Sequence, residues 1–261
     1  MYRTPGVYRE EVFPVPPAEL RTGVPAFIGL VSRPEIDAHS DEFLLRQTST
    51  PGVWLVKKRG TESAETDDPG WFTFWTEFQA AFGLLQPYGY LAYAVRGFFE
   101  NQGRLCYAQV VSYDETASAE AALTVGLDTV RSLDTLDLVC APDIMWPRQR
   151  QALFEEEALR MQGQVLGHCD NNGDRFAILD SLPSASIEGA LQQRRGLRGV
   201  NGALYYPWVK VSLCPAQRNP SSWPRRAIMW PGATLAPTSR PASTKLPLTK
   251  SRRACWTWRL T

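Results

Sequence analysis

The chain has 261 residues, 44% of them hydrophobic, and a formal net charge of +1. It is long enough to bury one large core or two small ones, and it has no run of 18 apolar residues that would predict a transmembrane helix. The five cysteines are odd in number and form no Cys-x-x-Cys pair, and the charged N-terminus has no apolar signal region. These features argue against a disulfide framework, a zinc motif and a secretory signal, and they predict synthesis in a reducing cytoplasm.

The sequence predicts an extended N-terminal arm over residues 1–23, which opens with TPGVYREEVFPVPP. Thr4–Gly6 has turn chemistry, and the three prolines at positions 14, 16 and 17 exclude a helix. The arm has too little apolar content to bury itself, so we expect that residues 1–17 do not pack on their own core but add a strand to another sheet. The residues expected to form that strand are Val7, Tyr8, Arg9, Glu10, Glu11 and Val12.

Residues 24–211 alternate between apolar strands and helices, which predicts an α/β domain with a largely parallel central sheet flanked by helices. In YLAYAVRGFFENQGRLCYAQVV, apolar residues from Leu91 to Phe99 recur at helical spacing, Arg96 and Glu100 can pair on the opposite face, and Gly103 ends the helix. Further helices are predicted at 75–82 (closed by Gly83), 118–133, about 147–166 and 186–197. Strands are predicted at 23–31, 53–57, 104–111, 136–141, 175–180 and 202–211, and those at 104–111, 136–141, 175–180 and 201–206 are expected to share one sheet.

Catalytic and ligand-binding motifs are weak in this sequence. No glycine-rich phosphate loop follows the strands CYAQVV or LDLVCAP, where a doubly wound enzyme would place one. DNNGD (Asp170–Asp174) lacks the Glu that an EF-hand needs, so it is interpreted as a helix-to-strand turn. His168 and Cys169 are adjacent in sequence and therefore poorly placed to face each other as base and nucleophile. The aromatic cluster at 205–208 is interpreted as the end of a buried strand rather than a ligand platform.

The last 50 residues differ in composition from the rest. From Ser212 onward there are nine Lys or Arg, seven Pro and no Asp or Glu, whereas residues 1–211 hold 19 basic and 27 acidic side chains. Such an abrupt shift marks a boundary. The prolines and the absence of periodicity predict a disordered tail that cannot supply a regular β-ladder.

Six stretches occur in the order and spacing of one known family: TPGVYREEV, TGVPAFIGLVSR, WTEFQAAFG, YLAYAVRGFFENQGRLCYAQVV, LDLVCAPDI and GALYYPWVKV. Together they resemble the sheath subunit of contractile phage tails and phage-tail-like injection systems. The resemblance covers residues 1 to about 211, with a poor fit over 33–70, where an insertion is expected. The most specific stretch is AVRGFFENQGRLCYAQVV, whose motif residues are Phe98, Phe99, Glu100, Asn101 and Gly103.

This resemblance implies a structural protein with no catalytic residues, metal or cofactor. Sheath subunits stack as six-membered rings around an inner tube, and their terminal arms add strands to neighbouring subunits. On triggering, the sheath shortens and drives the tube through a target envelope. The implied partners are other sheath subunits, the inner tube and the baseplate, with no membrane and no nucleic acid. The implied location is the cytoplasm and then an assembled tail particle.

The tail departs from the family, which continues after PWVKV with stretches such as GHVAG, KAPANE and GVLDLE. The tail can be translated in a shifted frame, in which the third base of each codon is joined to the first two bases of the next. In that frame Met229-Trp230 must encode Val, Trp230-Pro231 must encode Ala, and Cys255–Thr257 must encode Leu and then Asp. These four forced positions fit HVAG and VLDLE in the family's order, and 244–250 permits KAPANE. We interpret 212–261 as an out-of-frame translation, with the shift near residues 211–216.

Two other functions stay open at this point. One is an α/β nucleotide-binding enzyme domain, which the missing phosphate loop disfavours. The other is a nucleic-acid-binding protein with a basic tail, because Arg interleaved with Trp suits single strands.

Overall fold

The computed structural model describes residues 23–60, 67–146, 154–183 and 185–211, together with the backbone of two short strands at 228–230 and 258–259. The main-sheet strands are β1 (Pro25–Ser32), β2 (Phe43–Gln47), β3 (Val53–Lys58), β4 (Gly70–Phe72), β5 (Cys106–Tyr113), β6 (Leu138–Cys140), β7 (Phe176–Asp180) and β8 (Gly202–Tyr205). The helices are α1 (Arg33–Asp37), α2 (Trp75–Phe82), α3 (Leu91–Glu100), α4 (Ala119–Val130), α5 (Phe154–Asn172) and α6 (Ile187–Gly196).

One mixed sheet forms the centre of the fold, in the order β2-β3-β5-β1-β6-β7-β8, with β4 also paired to β5. The five strands from β5 to β8 in this order are mutually parallel, whereas β2, β3 and β4 add antiparallel pairings at one side. The prediction of an α/β fold with a largely parallel sheet is confirmed, and the four strands expected to share a sheet do so. Residues 33–70 supply α1 and the antiparallel side of the same sheet, and whether they are an insertion relative to sheath proteins stays a prediction.

Strand β1 lies at the centre and is buried on both faces. Ala26, Ile28 and Leu30 pack into a cluster with α4 and α5, whereas Phe27 and Val31 pack into a second cluster with α2 and α3. The alternation follows from the period of two along a strand. Helices on both faces therefore give the sheet two hydrophobic cores, as expected for parallel strands joined by helical crossovers.

Helix ends follow the capping chemistry in most places. Ser118 and Ser186 precede α4 and α6, and each side chain accepts a hydrogen bond from the backbone N–H three residues on, at 3.1 Å. Helix α5 continues beyond the predicted end near residue 166 and stops just before Gly173, whose φ of 75° favours glycine. Gly83 follows α2 as predicted, but its φ of −60° is helical and the chain continues as a 3-10 helix.

The predicted strand at 202–211 is divided in two. β8 ends at Tyr205, a cis peptide bond precedes Pro207, and a separate strand β9 (Val209–Val211) follows. β9 pairs in antiparallel fashion with β10 (Ile228–Trp230) on one side and β11 (Trp258–Arg259) on the other. The expectation that the tail supplies no ladder is therefore wrong at these five tail positions. The other residues after 211 lie outside the described part of the chain.

Candidate functional site

The family-motif residues form a tight cap between α3 and β5. The backbone N–H of Gly103 donates to the carbonyl oxygen of Phe98 at 2.9 Å, and that of Gln102 donates to Phe99 at 3.1 Å. This pair of bonds is the Schellman motif. The residue with positive φ is Gln102, at 70°, so Gly103 does not end the helix by adopting a left-handed conformation. The helix ends at Glu100, two residues before that turn.

Gly103 is needed for a different reason, which is close packing. A Cβ atom at this position would lie 2.4 Å from Cε1 and Cζ of Phe98. That ring is buried and meets Phe27 of β1 edge-on, with the centroids 6.0 Å apart. Asn101 fixes the same turn, because its Nδ2 donates to the carbonyl oxygen of Gly97 at 2.8 Å. The motif thus connects α3, β5 and β1.

The predicted pair on α3 forms, but on a buried surface. Arg96 Nε donates to Glu100 Oε1 at 2.8 Å. Arg96 is only 8% exposed, and its guanidinium carbon lies 5.9 Å from the ring centroid of Trp75 in α2. The expectation that this pair occupies the face opposite the packed one is wrong for Arg96, because α2 covers it. The predicted arm residues, Val7 to Val12, lie outside the described residues, as does the prediction that residues 1–17 do not pack on the core.

The parallel strands have the sequential order 2-1-3-4-5 of a doubly wound sheet, whose ligand sites lie beyond the carboxyl ends of the strands where the order reverses. Here that point lies between β1 and β6. Asp143, three residues after β6, is 1% exposed and fills it. Its carboxylate accepts the backbone N–H groups of Leu30 at 2.9 Å, Tyr90 at 2.5 Å and Leu91 at 2.9 Å.

These three bonds tie the end of β1 and the start of α3 to the segment after β6. Gly89 allows this approach, because a Cβ atom there would lie 2.5 Å from Asp143 Oδ1. A buried carboxylate with three backbone donors is satisfied within the protein. At the switch point, this carboxylate is therefore used on the backbone of the chain itself.

A cleft of about 780 Å³ lies beside this point, at the carboxyl ends of β1 and β5. Four of the residues that line it are carboxylates, and none of the described lining residues is Lys, Arg or His. The described carboxylates disfavour a nucleoside polyphosphate here, because like charges at a few ångströms raise the free energy of binding. The carboxylates are Glu35, Asp114, Glu115 and Glu157.

The adjacent His168 and Cys169 are both buried in the last turns of α5. Burial, with the nearby Arg175 and Arg131, lowers the pKa of His168 to about 4, and burial raises the pKa of Cys169 to about 12. At neutral pH the pair is therefore a neutral imidazole and a protonated thiol, which does not suit nucleophilic catalysis. Asp170, in the segment considered as a calcium loop, accepts the backbone N–H of Asn201 at 2.8 Å and ties α5 to β8.

A polar network anchors the point where the chain leaves the main sheet. Trp208 Nε1 donates to the carbonyl oxygen of Ser181 at 2.6 Å, and the Trp208 ring lies 5.5 Å from that of Tyr90. Gln162 and Gln193 both donate to the carbonyl oxygen of Asp180. The aromatic cluster at 205–208 does lie at a strand end, but β8 is half-buried rather than buried, and only Trp208 of the two last rings is buried while Tyr206 is exposed.

Within the described ranges, no group of three or more His, Cys, Asp or Glu side chains is placed to hold a metal ion. No helix in the same part of the chain is both long and apolar enough to cross a membrane. No protein-family model matches this chain, and a search of curated proteins found no significant match.

Proposed function

We propose that this chain is a structural subunit of a contractile tail sheath, without enzymatic activity, whose reading frame is shifted near residue 212. In the complete protein, copies would stack in six-membered rings around an inner tube, on a baseplate, and contract to drive the tube through a target envelope. The chain would be made in the cytoplasm and assembled into a phage tail or a phage-tail-like particle. Its partners would be other sheath subunits, the inner tube and the baseplate.

The motifs that resemble the sheath family support this proposal by their place in the fold. The five that fall within residues 23–211 lie in or beside the central sheet, in β1, α2, the α3–β5 unit, β6 and the β8–β9 segment. In the most specific motif, Phe98 and Gly103 pack closely, and Asn101 caps α3 by a hydrogen bond to Gly97. Packing and capping residues suit a load-bearing subunit, because its function depends on shape and interfaces rather than on a reactive centre.

The observation that carries the proposal is the commitment of Asp143, at the switch point, to the backbone of the protein itself. Asp143 uses its carboxylate on three backbone donors at the place where an α/β enzyme of this topology binds its ligand. The neighbouring cleft adds four carboxylates and no described basic residue. Both features disfavour the nucleotide-binding enzyme and leave the structural role as the better explanation of the domain.

The tail supports a shifted frame rather than a designed partner surface. An abrupt loss of every Asp and Glu over the last 50 residues is compatible with codons that are read out of frame. The four forced positions agree with the family in its order, which a selected basic tail would have no reason to do. β10 and β11 pair with β9 at only five positions, far less than the arms and acceptor strands of a lattice would require.

The experiment that tests the proposal is the nucleotide sequence from codon 205 to about 500 bases beyond codon 220. We expect an open frame, offset by one base from the present one, that encodes HVAG, KAPANE and VLDLE-like stretches in this order. If that frame is closed by stop codons within the region, the proposal fails.

The nucleic-acid-binding tail remains a second candidate because one observation favours it, namely nine Lys or Arg interleaved with four Trp and no acid after residue 211. It predicts tight, salt-dependent binding of single-stranded DNA that is lost when the chain is cut after Val211. A filter-binding titration at 50 and 200 mM salt measures this. The sheath proposal predicts only weak binding without length or sequence preference.

A further inference from the structure

The outer surface of α6 presents large apolar side chains that the described part of the chain leaves exposed. Ile187 and Leu191 are one helical turn apart on α6 and are 62% and 53% exposed, and Val200, between α6 and β8, is 83% exposed. None of the three belongs to either of the two hydrophobic cores. Because β8 is the last strand of the sheet, this surface lies at the edge of the domain.

The same surface is basic. Arg195 is on the same face of α6 and Arg198 follows the helix; both are exposed, and neither forms a hydrogen bond or an ion pair with the described residues. Residues 185–205 contain three Arg and one acid, Glu188, whereas residues 1–211 as a whole contain 19 basic and 27 acidic side chains. The surface therefore favours a partner that carries both carboxylates and apolar groups.

The segment that precedes β1 matches this surface in charge and polarity. Residues 10–20, EEVFPVPPAEL, contain three Glu and no Lys or Arg, together with the apolar side chains of Val12, Phe13, Val15 and Leu20. Of the other stretches outside the described residues, 61–66 has acids but no large apolar side chain, and 147–153 and the tail after 211 have no acid. The N-terminal segment therefore offers a combination that those stretches lack.

This segment also joins the domain at the edge where α6 ends. β1, β6, β7 and β8 are parallel neighbours, so Gly23, before β1, and Val200, before β8, lie at the same amino edge of the sheet. Three strand spacings of about 4.8 Å separate them along that edge. An extended chain spans about 3.3 Å per residue, so residues 13–23 cover about twice that distance. The segment can therefore reach α6 of its own chain.

We propose that residues 10–20 bind the outer surface of α6 of the same chain in the free monomer. The glutamates contact Arg195 and Arg198, and the apolar side chains cover Ile187, Leu191 and Val200. Tethering gives the segment an effective concentration of about 1 mM, so weak contacts suffice within one chain but not between chains at micromolar concentration.

The contact is compatible with the expectation that residues 1–17 do not pack on the core, because this surface belongs to neither core. It does not depend on the sheath role. One consequence does rest on the proposed function: docking on α6 competes with strand addition to another sheet, so the free subunit withholds its arm from assembly.

Photo-crosslinking tests the contact in the full-length chain at low micromolar concentration, with p-benzoylphenylalanine in place of Phe13. The product is sized on a denaturing gel and the crosslinked position is mapped by mass spectrometry. The variant Arg195→Glu/Arg198→Glu reverses the two uncommitted charges of the surface, and Leu191→Ser removes apolar area without a change of charge. The control, Arg104→Glu/Arg131→Glu, reverses two exposed charges outside α6.

We expect a monomer-sized product crosslinked within residues 187–200, with a yield that falls as salt rises. The charge reversal should lower the yield about threefold or more, because each partly solvated ion pair contributes about two- to fivefold. Leu191→Ser should also lower it, and the control should change it less than about 1.5-fold, since circular dichroism checks that all variants are folded. A dimer-sized product would assign the surface to a second copy instead. That result, a crosslink elsewhere, no crosslink, or equal loss in the control would overturn the proposal.

Discussion

Removal of the Asp143 carboxylate should destabilise the whole domain, because it is the common acceptor for three backbone donors from β1 and α3. In Asp143→Ala the N–H groups of Leu30, Tyr90 and Leu91 lose their partner at a site that is 1% exposed. Each buried donor left unpaired costs about 1–3 kcal/mol, and neighbouring losses are not additive. We therefore expect a decrease of about 3–6 kcal/mol in the free energy of unfolding, a large fraction of the 5–15 kcal/mol typical of domains.

Urea unfolding followed by tryptophan fluorescence measures this loss. Asp143→Asn separates shape from hydrogen bonding: the amide keeps one acceptor but directs its N–H₂ group at a backbone donor, so we expect about 2–4 kcal/mol. Asp134→Ala, at an exposed position, is the control and should change stability by less than about 0.5 kcal/mol. A loss below about 1 kcal/mol in Asp143→Ala would show that this carboxylate does not anchor β1 and α3.

Three other predictions concern the motif turn and two buried titratable groups. Gly103→Ala should lower the free energy of unfolding in urea by about 1–3 kcal/mol, because the new methyl group collides with the Phe98 ring. Gln102→Gly should raise it by about 0.5–1 kcal/mol, because glycine adopts a positive φ without strain. A change of the same sign in both variants would contradict this turn geometry. Burial raises the pKa of Asp180 to about 8, so the free energy of unfolding should fall as pH rises from about 4 to 8. In Asp180→Asn, about 3 kcal/mol of the decrease between about pH 5 and 8 should be absent. Parallel pH profiles of the variant and the parent would refute this. Burial and Arg175 lower the pKa of His168 to about 4, so the free energy of unfolding should fall as pH drops from about 6.5 to 4. In His168→Gln, about 2–3 kcal/mol of that decrease should be absent. An unchanged decrease of stability at acid pH would show that His168 is not its cause.

The elements that the sequence predicts well are those with a strong local pattern. β1 and β5 are continuous apolar runs between turn residues, and α3, α4 and α6 combine helical spacing with clear ends. The predicted end of α5 near residue 166 is too early, although Gly173, the glycine that follows the helix, is present in the sequence. Pro207 likewise signals the break between β8 and β9, because proline cannot continue a central ladder.

What the sequence could not show depends on contacts between distant residues. β2 and β4 are short and partly polar, and their place is set by pairing with β3 and β5. The role of Asp143 comes from donors 52 to 113 positions away, so no local motif indicates it. Arg96 pairs with Glu100 as spacing predicts, yet only the packing of α2 decides that Arg96 is covered.

The central claim, that this chain is a sheath subunit interrupted near residue 212, is tested most directly by electron microscopy of two proteins expressed without an inner tube. One is the 261-residue chain, and the other is the chain with its frame restored after Val211. The restored protein should polymerise into ordered cylinders, because its continuation supplies the arm and acceptor strands that helical assembly requires. The 261-residue chain should remain monomeric or aggregate without order, since β9 meets only five tail residues in a ladder. Ordered cylinders from the 261-residue chain, or none from the restored protein, would contradict the account.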